Sequence, residues 1–220
     1  MNAGLILAGG KGERLTGYST PKQFLEVGGR PVISYCLQTF QSCSDIDIIC
    51  VVADEKWHTQ IGNFLFAEPG ISRQHSIYNG LKALQSFTPQ YVVIHDAARP
   101  CVLTSTISEC IAASRPYDGA TPVLPVTETI YRSACGQVIA AALKRDELFV
   151  GQTPECYDFS LYLAAHERFA SKLSDFRGSS EIAVNADMRI ALAKGDPGNF
   201  KITTNTDLER FKSIINGGHI

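Results

Sequence analysis

Apolar runs alternate with amphipathic segments along most of this chain, and this alternation limits the folds that the chain can adopt. Four runs have the length and the uninterrupted apolar character of strands buried on both faces, residues 3–8, 46–53, 91–95 and 120–126. The remaining chain predicts helices at 31–40, 55–66, 72–87, 105–114, 160–169 and 207–215, and a short strand at 200–203. This pattern predicts an α/β fold with a doubly wound, mostly parallel sheet and helices on both faces.

Residues 127–148 interrupt the alternation. Two strand-like stretches flank Cys135-Gly136-Gln137, a sequence typical of a hairpin turn. A hairpin that leaves an α/β core has unpaired edges unless something covers them. We therefore predict a protruding arm that pairs with a second subunit, within a single domain spanning residues 1–220. An ordinary edge hairpin on the same sheet is the alternative.

Charge and cysteine content exclude several classes of protein. The formal net charge of −2 argues against a general nucleic-acid binder, so local cations must meet any anionic ligand. The seven cysteines include no CxxC pair and predict neither a disulfide framework nor a zinc site. No apolar run approaches transmembrane length, and residues 1–8 lack the charged region of a signal peptide. We expect a cytoplasmic protein without nucleic-acid or membrane partners.

A glycine-rich loop occupies residues 7–14, Leu7-Ala8-Gly9-Gly10-Lys11-Gly12-Glu13-Arg14, between the first strand and a helical region. Its glycines would let backbone N–H groups approach phosphate oxygens, and Lys22 follows as a further cation. The loop is not a dinucleotide fingerprint, because Leu15 stands where that pattern needs glycine. It is not a Walker-type loop, because Lys11 is followed by Gly12 rather than Ser or Thr. A phosphate cradle and a simple strand–helix turn remain.

Further motifs follow in order along the chain. They are Pro21-Lys22-Gln23-Phe24, Arg73-Gln74-His75-Ser76-Ile77, His95-Asp96-Ala97-Ala98-Arg99-Pro100, Gln152-Thr153-Pro154 and Asn199-Phe200-Lys201-Ile202-Thr203-Thr204. Together with the glycine loop they resemble, over essentially the whole chain, the nucleotidyltransferases that activate sugar and polyol phosphates. The resemblance is strongest to the cytidylyltransferases of 2-C-methyl-D-erythritol 4-phosphate and of D-ribitol 5-phosphate.

This resemblance implies a Rossmann-like nucleotidyltransferase fold and a CTP-dependent reaction. An oxygen of a polyol phosphate would attack the α-phosphorus of CTP and release pyrophosphate. A phosphate monoester has a second pKa of about 6, so it is largely dianionic at neutral pH and needs no general base. The resemblance also implies a homodimer in which the arm contributes to the partner's site, and the chemistry of Asp96 implies Mg²⁺ or another divalent cation as a cofactor.

The resemblance also implies roles for individual residues. The catalytic cations would be Arg14, Lys22 and Lys201. The nucleotide would be bound by Ala8, Gly9, Gly10, Lys11, Gly12, Gly70, Arg73 and Ser76. The acceptor would be bound by Asp96, Arg99, Thr129, Arg145 and Thr153. Without the resemblance, Ser76 would be a helix-face serine, Arg145 a solvated arginine and Lys201 an edge-strand lysine.

Asp96, at the end of the third predicted strand, can also be interpreted from its chemistry. In an open α/β sheet, ligands bind beyond the carboxyl ends of the strands. An acidic group that faces a triphosphate needs a cation between them, so Asp96 is predicted to bind Mg²⁺. A helix N-cap is the alternative. The nearby Arg99 could clamp a phosphate or hold the loop.

The acceptor is predicted from short segments of similarity. Gly9, the step from Arg14 to Lys22, and the segments 151–154 and 191–195 resemble the D-ribitol 5-phosphate branch, which is therefore the predicted acceptor. A 2-C-methyl-D-erythritol 4-phosphate enzyme of isoprenoid biosynthesis is the alternative, and a non-catalytic nucleotide-binding relative is a third interpretation.

The sequence departs from the related enzymes at one loop. Those enzymes commonly carry Thr-Asp followed by an acidic residue where this chain has Ser179-Ser180-Glu181. Ser180 therefore stands in place of an aspartate, and we expect this loop to support the site differently from the loop of the related enzymes.

Overall fold

An eight-stranded sheet lies at the centre of the part of the chain that the computed structural model describes, residues 1–10 and 15–217. The strands are β1 (Asn2–Leu7), β2 (Glu26–Val27), β3 (Arg30–Pro31), β4 (Ile48–Val52), β5 (Leu65–Ala67), β6 (Tyr91–Asp96), β7 (Gly119–Pro125), β8 (Tyr131–Arg132), β9 (Ala141–Ala142), β10 (Phe149–Gly151), β11 (Glu155–Asp158) and β12 (Ile190–Lys194). The α-helices are α1 (Val32–Ser42), α2 (His58–Ile61), α3 (Arg73–Leu84), α4 (Thr104–Ser114), α5 (Phe159–Arg168), α6 (Ser179–Asn185) and α7 (Asn205–Ile215).

The central sheet has the order β10-β7-β11-β6-β1-β4-β5, with β12 paired to β7. Strand β1 is parallel to both of its neighbours, with Leu7 opposite Val52 of β4 and opposite Asp96 of β6. Strands β5 and β12 pair in parallel with β4 and β7, respectively. Strand β11 is antiparallel to both β6 and β7, so these two run in the same direction. The predicted doubly wound, mostly parallel sheet is confirmed.

Apolar cores cover both faces of the sheet, which explains why its strands are uninterrupted apolar runs. Successive residues of β1 point to opposite faces, so Leu5 and Ile6 enter different cores. The core around Ile6 is covered by α1 and α4. The core around Leu5 is covered by α3, α5 and α6. A third cluster, which includes Leu208 and Phe211, packs α7 beside the segment that carries Lys201.

The structure corrects two predicted elements and adds a strand that the sequence did not predict. The predicted helix 55–66 is wrong in its second half, because Gly62 has a φ of +109° and ends the short α2. The chain then forms β5, whose pairing with β4 overrides the helical pattern. Strand β12 was missed, because the alanine-rich sequence Ile190–Lys194 has little strand propensity of its own. The predicted strand 200–203 is not a strand, although Ile202 donates a backbone hydrogen bond to Ala98 at 2.8 Å.

The predicted hairpin arm is confirmed. Strands β8 and β9 pair only with each other as a two-stranded antiparallel sheet within the described residues, and Gly136 in their connection has a φ of +74°. The role of the arm in a dimer stays a prediction. None of the helices in residues 1–10 and 15–217 combines the length and apolar character that a membrane crossing requires.

Candidate active site

The glycine loop leaves the sheet where β1 runs between β4 and β6. The Ala8 N–H donates to the Val52 carbonyl at 2.9 Å, which extends the strand pairing by one residue. The buried Gln23 then holds the loop, because its Nε2 donates to the carbonyls of Ala8, at 2.5 Å, and Gly10, at 2.8 Å. The N–H groups of Gly9 and Gly10 have no hydrogen-bond partner in the described part of the chain, so they remain able to bind a phosphate.

Lys11, Gly12 and Arg14 lie outside the described residues, so their predicted roles stay predictions. Lys22 is half-buried at the start of a short 3-10 turn, Lys22–Phe24, that follows the loop. The turn is fixed by Phe24, whose ring stacks on Trp57 with a centroid distance of 4.1 Å.

A second loop, after β5, packs against the first. A Cβ on Gly9 would meet Cβ of Pro69 at 2.6 Å, so only glycine fits that position without movement. The Gly70 N–H donates to Oγ of Ser76 at 3.0 Å, and Ser76 donates to the carbonyl of Ser72 at 3.1 Å. The structure therefore brings together Gly9, Gly70 and Ser76 as predicted, but it uses the Ser76 hydroxyl to hold the loop.

This packing predicts unequal effects of alanine at the two neighbouring glycines. In Gly9→Ala, the added methyl group must displace Pro69, so we expect the free energy of unfolding to fall by about 1–3 kcal/mol. A Cβ on Gly10 meets nothing within 4 Å. Gly10→Ala should therefore leave stability unchanged, or raise it by a few tenths of a kcal/mol through the unfolded state. Urea unfolding of both variants measures this difference, and equal stabilities would contradict the packing.

A carboxylate held by two cations faces the same end of the sheet. Asp96 ends β6, and its Oδ1 lies 3.2 Å from Nη2 of Arg73 while its Oδ2 lies 2.6 Å from Nζ of Lys201. Burial disfavours the charged carboxylate, but the two cations outweigh it and hold the pKa of Asp96 well below its usual range. Burial likewise opposes the charge of Arg73, but Asp96 and Glu155 together raise its pKa. Asp96 and Arg73 are therefore both charged at neutral pH.

A chain of buried hydrogen bonds through Thr153 and His95 holds the backbone of Asp96. The Asp96 N–H donates to Oγ1 of Thr153 at 3.1 Å, and that hydroxyl lies 3.2 Å from Nδ1 of His95. Nε2 of His95 lies 3.0 Å from the Arg99 carbonyl, which can only accept, so the network assigns the ring proton to Nε2. Nδ1 then accepts from Thr153. The Thr153 hydroxyl is thus buried and bonded within the protein, and its contact with the acceptor stays a prediction.

Arg99 holds the segment that carries Lys201. Its Nη1 donates to the carbonyl of Asn199 at 2.7 Å, and Nδ2 of Asn199 donates to the Thr153 carbonyl at 2.7 Å. The buried Gln152 also donates to the neighbouring Asp196 carbonyl at 2.9 Å. Of the two roles considered for Arg99, the geometry corresponds to holding the loop, and its contact with an acceptor phosphate stays a prediction.

Two buried histidines predict a loss of stability in mild acid. Burial lowers the pKa of His95 and of His166 from 6.5 to about 4. The unfolded chain therefore takes up protons first as pH falls through 6.5, and stability is lost until about pH 4. Each histidine contributes a slope of about 1.4 kcal/mol per pH unit within this window.

Substituting one histidine separates the contributions of His95 and His166 to this slope. Near pH 5, His95 and His166 both contribute to the slope of the wild-type unfolding free energy against pH. We expect His166→Gln to lose about half of this histidine contribution. Denaturant unfolding at pH 4.5–6.5 measures both slopes. A wild-type curve that is flat over this range would show that neither histidine titrates as the burial predicts.

The two predicted residues of the arm lie apart from the Asp96 cluster. Thr129 and Arg145 are exposed and line one open cleft of about 410 Å³, together with Lys144. Nη1 of Arg145 donates to the Thr127 carbonyl at 3.2 Å. No hydrogen bond or ion pair within the described residues joins this cleft to Asp96. Within one chain, the lining of this cleft therefore includes neither Asp96 nor Lys201.

Comparisons with known proteins match this chain along its length. A family model described as IspD, 2-C-methyl-D-erythritol 4-phosphate cytidylyltransferase, matches residues 3–217. The bifunctional enzyme IspD/IspF of Bradyrhizobium diazoefficiens is 37% identical over 214 residues, which cover 94% of this chain and 54% of that protein. The bifunctional enzyme IspD/IspF of Rhodospirillum rubrum is 36% identical over 224 residues, which cover 98% and 57%. The chain thus spans about half the length of these curated relatives.

Solved structures share the fold. The 4-diphosphocytidyl-2C-methyl-D-erythritol synthase of Anaerococcus prevotii superposes with a TM-score of 0.84 at 24% identity, over 98% of this chain and 96% of that one. The 2-C-methyl-D-erythritol 4-phosphate cytidylyltransferase of Thermus thermophilus gives a TM-score of 0.79 at 25% identity, over 96% and 98%.

Proposed function

Because this chain belongs to the 2-C-methyl-D-erythritol 4-phosphate cytidylyltransferase family, a family of CTP-dependent enzymes, we propose that it transfers CMP from CTP to 2-C-methyl-D-erythritol 4-phosphate. The observation that carries the proposal is the juxtaposition of the glycine loop with the cluster of Arg73, Asp96 and Lys201. Strand register puts Leu7, just before the loop, opposite Asp96.

This proposal changes the acceptor that the sequence favoured. The comparisons do not support D-ribitol 5-phosphate, and the 2-C-methyl-D-erythritol 4-phosphate alternative fits them better. The similarities to the ribitol branch were short segments, whereas the family model matches residues 3–217. A few local identities carry less information about the acceptor than a match along the whole chain.

The proposed reaction is a substitution at the α-phosphorus of CTP. A dianionic phosphate oxygen of the acceptor forms a bond to that phosphorus, and the bond to the oxygen that bridges to the β-phosphorus breaks. Pyrophosphate leaves with the electron pair, and no proton has to be moved. Catalysis then consists of positioning and of stabilising negative charge. Lys22, Lys201 and the glycine-loop N–H groups are the proposed donors.

Mg²⁺ fits this site only if the nucleotide supplies most of its ligands. Within residues 1–10 and 15–217, no group of three or more His, Cys, Asp or Glu side chains could hold a metal. Asp96 is an ionised carboxylate, and Mg²⁺ commonly binds one or two carboxylates together with substrate phosphates. We propose Asp96 as its protein ligand. When bound, the ion would neutralise charge on the phosphates.

The arm is proposed to complete the site of a second subunit. Its cleft carries Arg145 and Lys144, which suit an acceptor phosphate, and Arg145 can donate two parallel hydrogen bonds. Several large apolar side chains on and after the arm are exposed, including Tyr131, Ile139 and Val150. An exposed apolar surface of this kind is typical of an interaction site. We therefore propose a homodimer, which sedimentation tests directly.

An acceptor panel tests the proposed function. Pyrophosphate release from CTP should require an added polyol phosphate and should be fastest with 2-C-methyl-D-erythritol 4-phosphate. D-Ribitol 5-phosphate and hexose phosphates serve as matched controls, and ATP, GTP and UTP as nucleotide controls. Faster release with D-ribitol 5-phosphate would overturn the proposed acceptor. CTP binding without release for any acceptor would support a non-catalytic relative.

A further inference from the structure

A second buried carboxylate, which also raises the pKa of Arg73, lies next to the Asp96 cluster and is not among the residues proposed to bind nucleotide, acceptor or metal. Glu155 begins β11, and its side chain is only 8% exposed. Its Oε2 lies 3.7 Å from Nη2 of Arg73. Its Oε1 accepts hydrogen bonds from Ser180, at 2.9 Å, and from Tyr157, at 3.2 Å.

Glu155 therefore completes the surroundings of one guanidinium group. Arg73 contacts Asp96 through Nη2 and donates to Ser179 through Nη1. Apart from Glu155, Asp96 is the only carboxylate paired with Arg73 among the described residues, and Asp96 is shared with Lys201. The two negative charges of Asp96 and Glu155 thus balance the two positive charges of Arg73 and Lys201. This arrangement holds Asp96 in a defined position between the two cations.

We propose that Glu155, on β11, is a positioning residue. Its carboxylate replaces the one that is missing at position 180, where this chain has serine. The proposal rests on the proposed function, because it concerns the alignment of Asp96 and Lys201 toward the nucleotide. Glu155 acts on the reaction through Arg73.

Glu155 and Ser180 contact each other, so either position can carry the carboxylate of this polar pocket. The Ser180 hydroxyl lies within 2.9 Å of Oε1 of Glu155, and it also lies 2.8 Å from Oγ1 of Thr121. An aspartate at 180 is longer than serine by one bond, so its carboxylate would enter the space that Oε1 of Glu155 occupies. A carboxylate at either position therefore serves the same polar pocket, and carboxylates at both would repel each other.

Three variants test this exchange. Glu155→Gln keeps an oxygen acceptor for Ser180 and Tyr157 but removes the charge, so kcat/KM for CTP should fall on the order of 10- to 100-fold through misplacement of Arg73. Ser180→Asp alone places two carboxylates in contact and should lower Tm by several degrees. The double variant restores one charge and lets the new amide donate to the new carboxylate. Its kcat/KM should return to within about threefold of wild type.

The control and the second readout separate positioning from folding. Glu167→Gln removes one exposed carboxylate on α5 and should leave kcat/KM and Tm unchanged. Thermal unfolding of all variants tests the exchange without any turnover, so it remains decisive even if the wild-type protein transfers no CMP. A Glu155→Gln protein with wild-type kcat/KM overturns the positioning role. A double variant no better than Glu155→Gln, in both kcat/KM and Tm, overturns the exchange.

Discussion

Replacing Lys201 by methionine is expected to lower kcat for CMP transfer by about 10²- to 10³-fold, the usual effect of removing one donor that stabilises transition-state charge. Lys201 is the cation closest to Asp96, at 2.6 Å, and its side chain is 35% exposed, so its ammonium group can also reach a bound nucleotide. Methionine keeps an unbranched side chain that is one atom shorter than lysine, and it removes the ammonium group with its charge and its hydrogen bond to Asp96. Steady-state kinetics with CTP and 2-C-methyl-D-erythritol 4-phosphate measure the effect.

Lys212 provides a matched control for Lys201. It is 36% exposed, and its Nζ is paired with Oε1 of Glu209 at 2.8 Å on α7, away from Asp96. Lys212→Met should keep kcat within about twofold of wild type, because the Lys212 ammonium group is paired with Glu209 and not with Asp96, and an exposed ion pair adds little to stability. Asp96 retains Arg73 in Lys201→Met, so the variant should fold. Near-normal turnover by folded Lys201→Met would remove Lys201 from the catalytic set.

Asp96→Asn is expected to lower kcat by a similar 10²- to 10³-fold, because an amide cannot replace the charge that aligns Lys201 or bind Mg²⁺ as a carboxylate does. The backbone N–H of Asp96 still donates to Thr153, so the strand end and the hydrogen-bond chain through His95 are retained. The Mg²⁺ concentration that gives half-maximal turnover should also rise. This second readout distinguishes loss of a metal ligand from a general disturbance of the site.

Asp187→Asn is the control for this substitution. Asp187 is exposed and paired with Arg168 at 3.5 Å. Its φ of +65° is one that asparagine adopts readily, so the replacement should not strain the backbone. Both kcat and the Mg²⁺ dependence should match wild type. If Asp96→Asn behaves in the same way as this control, Asp96 takes no part in catalysis or metal binding.

The sequence predicted the parts of this fold that depend on local patterns. Uninterrupted apolar runs indicate strands buried on both faces, and the clusters around Leu5 and Ile6 show why. The edges of the sheet were less predictable. Strand β12 exists because β7 offers an unpaired edge, and β5 exists because Gly62 ends a helix and β4 lies beside it. Such pairings join distant segments and leave little trace in local sequence.

The residues of the site also include some that the sequence predicts and some that only the fold reveals. Asp96 could be predicted because it carries a charge at the end of a predicted strand, and Lys201 because its motif resembles that of the related enzymes. The structure brings both residues together with Arg73. Gln23 and Glu155 were missed as functional residues, because they act on backbone carbonyls or on a side chain more than 80 positions away. Only the fold reveals such partners.

The most direct test of the central claim follows the α-phosphate of CTP through a single turnover. Wild-type protein in excess over CTP labelled at the α-phosphate is mixed with 2-C-methyl-D-erythritol 4-phosphate and Mg²⁺, and the products are separated. The proposed reaction predicts that the label appears in a cytidine diphosphate ester of the acceptor, with one pyrophosphate released per label transferred. Label that remains in CTP, or that appears as free CMP, would contradict CMP transfer by this chain.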